Sequence, residues 1–164
     1  MYLIDGIGQL GSLLRNKIVD KKYDENTLVY HTWNIDDKSS IAQREQYNKF
    51  CRFVIENRYK RIIFISTNSQ IESYYVKYKQ LSESFLIENC DNCLVLKFPT
   101  LIGKGVFKDF KNDTKEPYGI MSIMTLSKAC DIVVDHLNYS GLLKTLSFDG
   151  HKVDARIVYD LVKI

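Results

Sequence analysis

The sequence predicts an α/β domain built on a parallel sheet, and three observations carry that reading. Short apolar runs alternate with longer segments of helical periodicity from the start of the chain to about Pro99. One run, RIIFIST at 61–67, is almost continuously apolar, as a parallel strand covered on both faces requires. The third is DGIGQLGS at 5–12, which sets Gly6, Gly8 and Gly11 in G-x-G-x-x-G spacing between a strand and a helix.

The composition suits a single folded unit: 164 residues, 45% apolar and 26% charged, with two prolines. A net charge of +3, with lysines scattered among acids, gives no electrostatic footprint for nucleic acid. The cluster Arg58-Tyr59-Lys60-Arg61 reads instead as cations complementing a helix C-terminus. No run reaches the ~18 apolar residues of a membrane span, and no charged segment leads into a signal-type core, so a cytoplasmic protein is expected. The four cysteines are then expected as reduced thiols. Cys90 and Cys93 form a C-x-x-C pair with no further ligands nearby, which points to a structural role and no metal site.

Taken in order, a strand at 2–5 leads through the glycine turn to a helix at about 12–18, which ends in the polar run 20–26. TLVYHTW at 27–33 is rich in β-branched and aromatic residues and reads as a buried strand. Polar residues at 36–40 supply a helix cap. The helix at about 41–59 repeats Tyr47, Phe50, Cys51, Val54 and Ile55 on one face. After the strand at 61–67 come a helix at about 72–88 and a strand at 93–99. Strand-helix alternation of this kind predicts right-handed crossovers. Beyond Pro99 the pattern changes. Gly103, Gly105 and the polar stretch 111–117 read as loop, followed by a helix at about 126–137, a strand near 143–148 and a last amphipathic helix capped by Asp154. The expected organisation is a nucleotide-binding core over 1–102 and a small C-terminal lobe over 103–164.

Tyr75 and Lys79 lie four apart in a helix and therefore share a face. A nearby ammonium favours a phenolate, which would let Tyr75 exchange a proton with a substrate hydroxyl or carbonyl. A second Y-x-x-x-K, Tyr159 to Lys163, falls on the terminal helix and reads as packing. What distinguishes Tyr75 is its position just after RIIFIST, near the C-terminal sheet edge where ligands bind in open α/β folds. Thr67, ending that strand, can either hydrogen-bond the reacting oxygen or simply turn the chain.

With these residues in place, the chain resembles the extended, nucleotide-sugar-modifying branch of the short-chain dehydrogenase/reductase superfamily. The motifs run in the family's order: LIDGIGQLGS, LVYHTW, RIIFIST, Tyr75 and Lys79 followed by Glu83 in YKQLSE, and LVLKFPTLIGKG. The resemblance implies a Rossmann-like parallel sheet with flanking helices. It implies Thr67, Tyr75 and Lys79 as catalytic residues, with Lys79 also on the nicotinamide ribose. Gly6, Gly8, Gln9, Leu10, Gly11, His31 and Pro99 would line the site of NAD or NADP. It further implies an epimerase-, reductase- or dehydratase-type reaction on a nucleotide sugar, with 103–164 as a reduced substrate lobe. The chain departs from the family in being shortened: the two strands that normally precede LVYHTW are missing. Asp24 and Glu25 fall at the distance of the acid that reads the adenosine ribose, but in a polar loop, where they read as solvated charges. The glycine loop is one residue shorter than usual, and the interval from Thr67 to Tyr75 is compressed.

Two other readings stand beside the enzyme. One is a catalytically degenerate form acting as a binding or partner subunit, with a homodimer or partner covering the sheet edge that the lost strands would expose. The other keeps the glycine loop for the phosphates of a mononucleotide or sugar nucleotide.

Overall fold

The computed structural model describes residues 3–5, 8–18, 26–103 and 105–164. Strands β1 (Leu3–Asp5), β2 (Thr27–Tyr30), β3 (Arg61–Thr67) and β4 (Cys93–Phe98) alternate with helices α1 (Gln9–Ile18), α2 (Ser40–Asn57) and α3 (Tyr74–Asn89). There follow β5 (Thr100–Leu101), α4 (Val106–Lys111), β6 (Ile120–Met124) and α5 (Leu126–Asp135). The chain closes with β7 (Thr145–Ser147), β8 (His151–Asp154) and α6 (Ala155–Val162). Side-chain oxygens of Ser39, Ser73, Thr125 and Asp154 cap the starts of α2, α3, α5 and α6.

The main sheet is parallel throughout, in the order β1-β2-β3-β4-β7. Successive side chains of a strand point to opposite faces, which explains why β3 reads as one apolar run. Ile63 and Ile65 go to one face, with Val29, Leu94 and Leu96, under α1 and α5. Ile62 and Phe64 go to the other, with Tyr30 and Val95, under α2 and α3. A smaller sheet, β5-β6-β8, joins α4 and α6 around a separate cluster of Phe110, Ala155 and Val158. Residues beyond 102 thus contribute to both units, since α5 and β7 belong to the main sheet's layers.

This arrangement corrects the expectation of uniform right-handed crossovers. The steps β1 to β2 and β2 to β3 run in the same direction across the sheet, yet α1 and α2 cover opposite faces. Their two links therefore have opposite hands. The physical reason is the company α1 keeps: Leu10, Leu14 and Ile18 bury against Ala129, Cys130 and Val133 of α5, on the face that α2 and α3 leave open. With order β1-β2-β3-β4-β7, β1 stands at the sheet edge, as the loss of two strands predicts.

Three further corrections concern local structure. β2 stops at Tyr30 rather than continuing to Trp33, and α1 begins at Gln9. The stretch read as loop after Pro99 contains β5 and α4, and the unpredicted β6 and β8 pair antiparallel. In the basic cluster, Arg61 serves α5 rather than α2. Its guanidinium donates to the carbonyls of Leu137 at 3.0 Å, Tyr139 at 2.8 Å and His136 at 3.4 Å, and to Asn92 Oδ1 at 3.0 Å. Tyr159 donates to Asp113 Oδ1 at 2.5 Å and packs edge-on against Phe110, holding α6 on α4. Cys90 Sγ lies 3.5 Å from the carbonyls of Arg58 and Lys60, tying the end of α3 to the turn before β3.

Arg61→Ala should lose about 1–3 kcal/mol, because several carbonyls at the end of α5 lose a charged donor together. Arg58, whose guanidinium reaches only Tyr59 among the contacts above, should cost less than about 0.5 kcal/mol when replaced by alanine. Urea unfolding of the two variants measures the contrast.

Candidate functional site

Gly8 and the first turn of α1 follow β1 at the C-terminal edge of the sheet. Ser12 N donates to Gly8 O at 3.0 Å, closing the first helical turn. Among the described residues, a Cβ built on Gly8 would meet only His31 Cε1, at 4.0 Å, which leaves the backbone there open to close approach. This brings together Gly8 and His31, two of the residues expected to line a cofactor. Gly11 and Leu10 are buried in α1, and the Leu10 side chain belongs to the core. Gly6, Asp24 and Glu25 lie outside the described residues.

Gln9 extends the site in a direction the sequence does not indicate. Its side chain lies where a Cβ on Gly103 would fall, 2.6 Å from Oε1, and Gly103 has φ +133°, a conformation that favours glycine. The start of α1 thus touches Gly103, just after β5. Beside it lies a cleft of about 660 Å³ lined by Asp36, Ile102, Gly103, Phe107, Lys108, Lys111 and Val162. Pro99 is buried in the chain linking β4 to β5.

The segment after β2 is built around Gln43, a fully buried residue of α2. Its Oε1 accepts from Trp33 Nε1 at 2.7 Å, and its Nε2 donates to the carbonyls of Asn34 at 2.9 Å and Asp37 at 2.5 Å. Asn34 Oδ1 in turn accepts from Asp36 N and Asp37 N. Both donors of the amide and one lone pair of its oxygen are thereby matched, and the Trp33 ring lies against Lys79 of α3.

Lys79 is enclosed there. Only 3% exposed, its ammonium donates to Ile65 O at 2.8 Å and lies 4.5 Å from the ring centroids of both Trp33 and Phe64. Burial pulls its pKa down to about 7, and the charge of Glu83 opposes that shift. Glu83 is itself held from two strands: Ser66 Oγ donates to one carboxylate oxygen at 2.5 Å and Lys97 Nζ to the other at 2.9 Å. The carbonyl and the two aromatic faces replace part of the water the ammonium has lost.

Tyr75, in the first turn of α3, departs from expectation. Burial pushes its pKa up to about 12, so the phenol keeps its proton at neutral pH instead of approaching the phenolate. The ammonium of Lys79 is meanwhile engaged by Ile65 O and the two rings. Thr67 Oγ1 accepts from Ser69 N at 3.1 Å, which turns the chain and leaves the hydroxyl hydrogen to donate elsewhere. Sequence reasoning missed Trp33, Gln43, Ser66 and Lys97. For Gln43, one signal was available: it lies seven residues before Phe50, on the helical face identified as core.

No protein-family model and no curated protein sequence matches the chain. Solved structures do match. A dTDP-4-dehydrorhamnose reductase from Clostridium acetobutylicum is similar at TM-score 0.71 and 14% identity, over 99% of this chain and 81% of that one. A UDP-N-acetylglucosamine 4-epimerase from Bacillus cereus is similar at TM-score 0.76 and 13% identity, over 99% and 80%. The chain shares the Rossmann-like α/β fold of these enzymes. The Bordetella bronchiseptica enzyme WbmG, solved with NAD and UDP, is similar at TM-score 0.70 and 13% identity, over 98% and 76%. Among the described residues, no helix is long and apolar enough to cross a membrane.

Lys79 also makes a prediction about pH. Its pKa falls from the ordinary 10.5 to about 7 on folding, so between those values the unfolded chain binds more protons, and stability must rise with pH. The penalty is full below about pH 7 and absent above about pH 10.5. Relative to Lys79→Met, the unaltered chain should gain up to about 1 kcal/mol per pH unit in this window. Urea unfolding at pH 6.5, 8 and 9.5 would measure the difference.

Proposed function

We propose that the chain is an NAD(P)-dependent enzyme of the short-chain dehydrogenase/reductase type, acting on the sugar of a nucleotide sugar. The observation that carries this reading is the convergence of Gly8, Gln9, His31 and Gly103 beside a cleft at the C-terminal sheet edge. The residues present fit half of a dinucleotide well. Gly8 and the N-terminus of α1 offer open backbone for the pyrophosphate, and the segment after β2 and Pro99 flank the nicotinamide side. Among the described residues, no strand lies beyond β1 to carry an adenosine pocket. The nicotinamide would supply hydride to a carbonyl carbon.

Tyr75, a phenol that burial keeps protonated at neutral pH, would give its proton to the substrate oxygen when a carbonyl is reduced and take it back when an alcohol is oxidised. The hydroxyl of Thr67, its lone pair engaged by Ser69 N, would donate to the same oxygen. Lys79 acts by position, holding α3 against β3. The same contact favours a second reading, a binding subunit without turnover, because it commits the ammonium to Ile65 O and the two rings.

The test is calorimetric titration with NADH and NADPH, followed by oxidation of the bound nucleotide by a panel of nucleotide 4-keto-sugars. Tyr75→Phe should bind cofactor within about twofold of the unaltered chain and lose at least about 100-fold in turnover. Turnover unchanged by Tyr75→Phe would contradict the mechanism, and cofactor binding with no turnover on any keto-sugar would favour the binding subunit.

A further inference from the structure

The cleft beside Gly103 carries its own charge arrangement. Ile102, Phe107 and Val162 give it apolar surface, while Lys108 and Lys111 of α4 and Asp36 of the segment after β2 supply the charges. Lys108 and Lys111 are three apart, hence on one side of the helix. Lys108 Nζ lies 3.1 Å from Asp36 Oδ1, and both side chains are mostly exposed, at 60% and 75%. Among the described residues, no carboxylate pairs with the ammonium of Lys111. A second pair, Lys38 with Asp109 at 2.9 Å, joins the same segment to the same helix without lining the cleft.

We propose that Asp36 stands at Lys108 in place of an anionic group of the ligand, so that it gates the cleft in favour of polyanionic ligands of the diphosphate class. This inference rests on the reading of the cleft as the nucleotide-sugar site and assigns its selectivity. A solvated single ion pair is weak. A diphosphate brings more charge than one carboxylate and can engage Lys108 and Lys111 together, so it displaces Asp36 readily. A singly charged ligand competes on nearly equal terms with Asp36 and gains little by entering. Selectivity then comes from a built-in competitor as well as from attraction. The segment need not come loose when Asp36 is displaced, because Lys38 still holds Asp109 and Gln43 still holds the carbonyls of Asn34 and Asp37.

The experiment uses UDP as probe, titrated calorimetrically into the full chain and into Asp36→Asn, Lys108→Ala and the double variant. Asp36→Asn should tighten UDP about three- to tenfold, since it removes both a competitor and a like charge. Lys108→Ala should weaken UDP, and adding Asp36→Asn to it should recover less than about twofold, because the carboxylate then has no ammonium to guard. UDP affinity unchanged by Asp36→Asn, or no UDP binding to the chain or to that variant, would overturn the proposal. NADPH titrated into the unaltered chain reports separately on the glycine turn. Failure there counts against the enzymatic reading, whereas NADPH binding with unresponsive UDP counts against the gate alone.

Discussion

An ammonium in a protein core keeps its charge only where other groups replace water, and at Lys79 those groups join two further parts of the chain to α3. Ile65 O and the Phe64 ring belong to β3, the Trp33 ring to the segment after β2, and Lys79 itself to α3. Losing any one of them leaves the charge less compensated. The contact therefore fixes the relative positions of the pieces that make the C-terminal edge of the sheet. Trp33 is further tied through Gln43 to the backbone that presents Asp36, and Glu83 links the next turn of α3 to Ser66 and Lys97. The ordering runs outward from one buried cation to the rim of the cleft.

The second constraint is topological. A chain that omits the strands usually flanking its first strand must still cover α1's apolar stripe. Here α5 provides the cover, and the cost is a pair of links of opposite hand and a β1 at the sheet edge. Under the proposed function, the phosphate end of a nucleotide would need only Gly8, the start of α1 and the end of β2, whereas the adenosine end normally depends on a strand beyond β1. The proposed site would thereby be weighted toward the nicotinamide and the sugar. Gln9 against Gly103 joins the start of α1 to the chain after β5.

What the sequence made legible follows from the range of the interactions involved. The bounds of β3 come out at 61–67 because a strand covered on both faces shows itself in its own residues. The overrun of β2 to Trp33 arises because aromatic content favours a strand, whereas the ring is claimed by a helix residue ten positions away. α4 escaped notice because Gly103 and Gly105 mark a break just before a six-residue helix, although Val106, Phe107 and Phe110 already lie at helical spacing. The Asp36–Lys108 pair spans 72 residues and has no local signature. For Tyr75 and Lys79 the spacing gave the shared face, but the rings and the carbonyl that receive the ammonium, and the burial that raises the phenol's pKa, depend on the rest of the chain.

The central claim is a nucleotide site that grips the nicotinamide and phosphate end without an adenosine pocket. It is tested most directly by comparing the affinities of NADH and reduced nicotinamide mononucleotide for the unaltered chain. The account predicts that both bind, with dissociation constants within about threefold, since losing the adenosine removes few contacts. NADH binding tighter by about 100-fold or more, equivalent to about 2.7 kcal/mol, would mean that the chain grips the adenosine after all and would contradict the account.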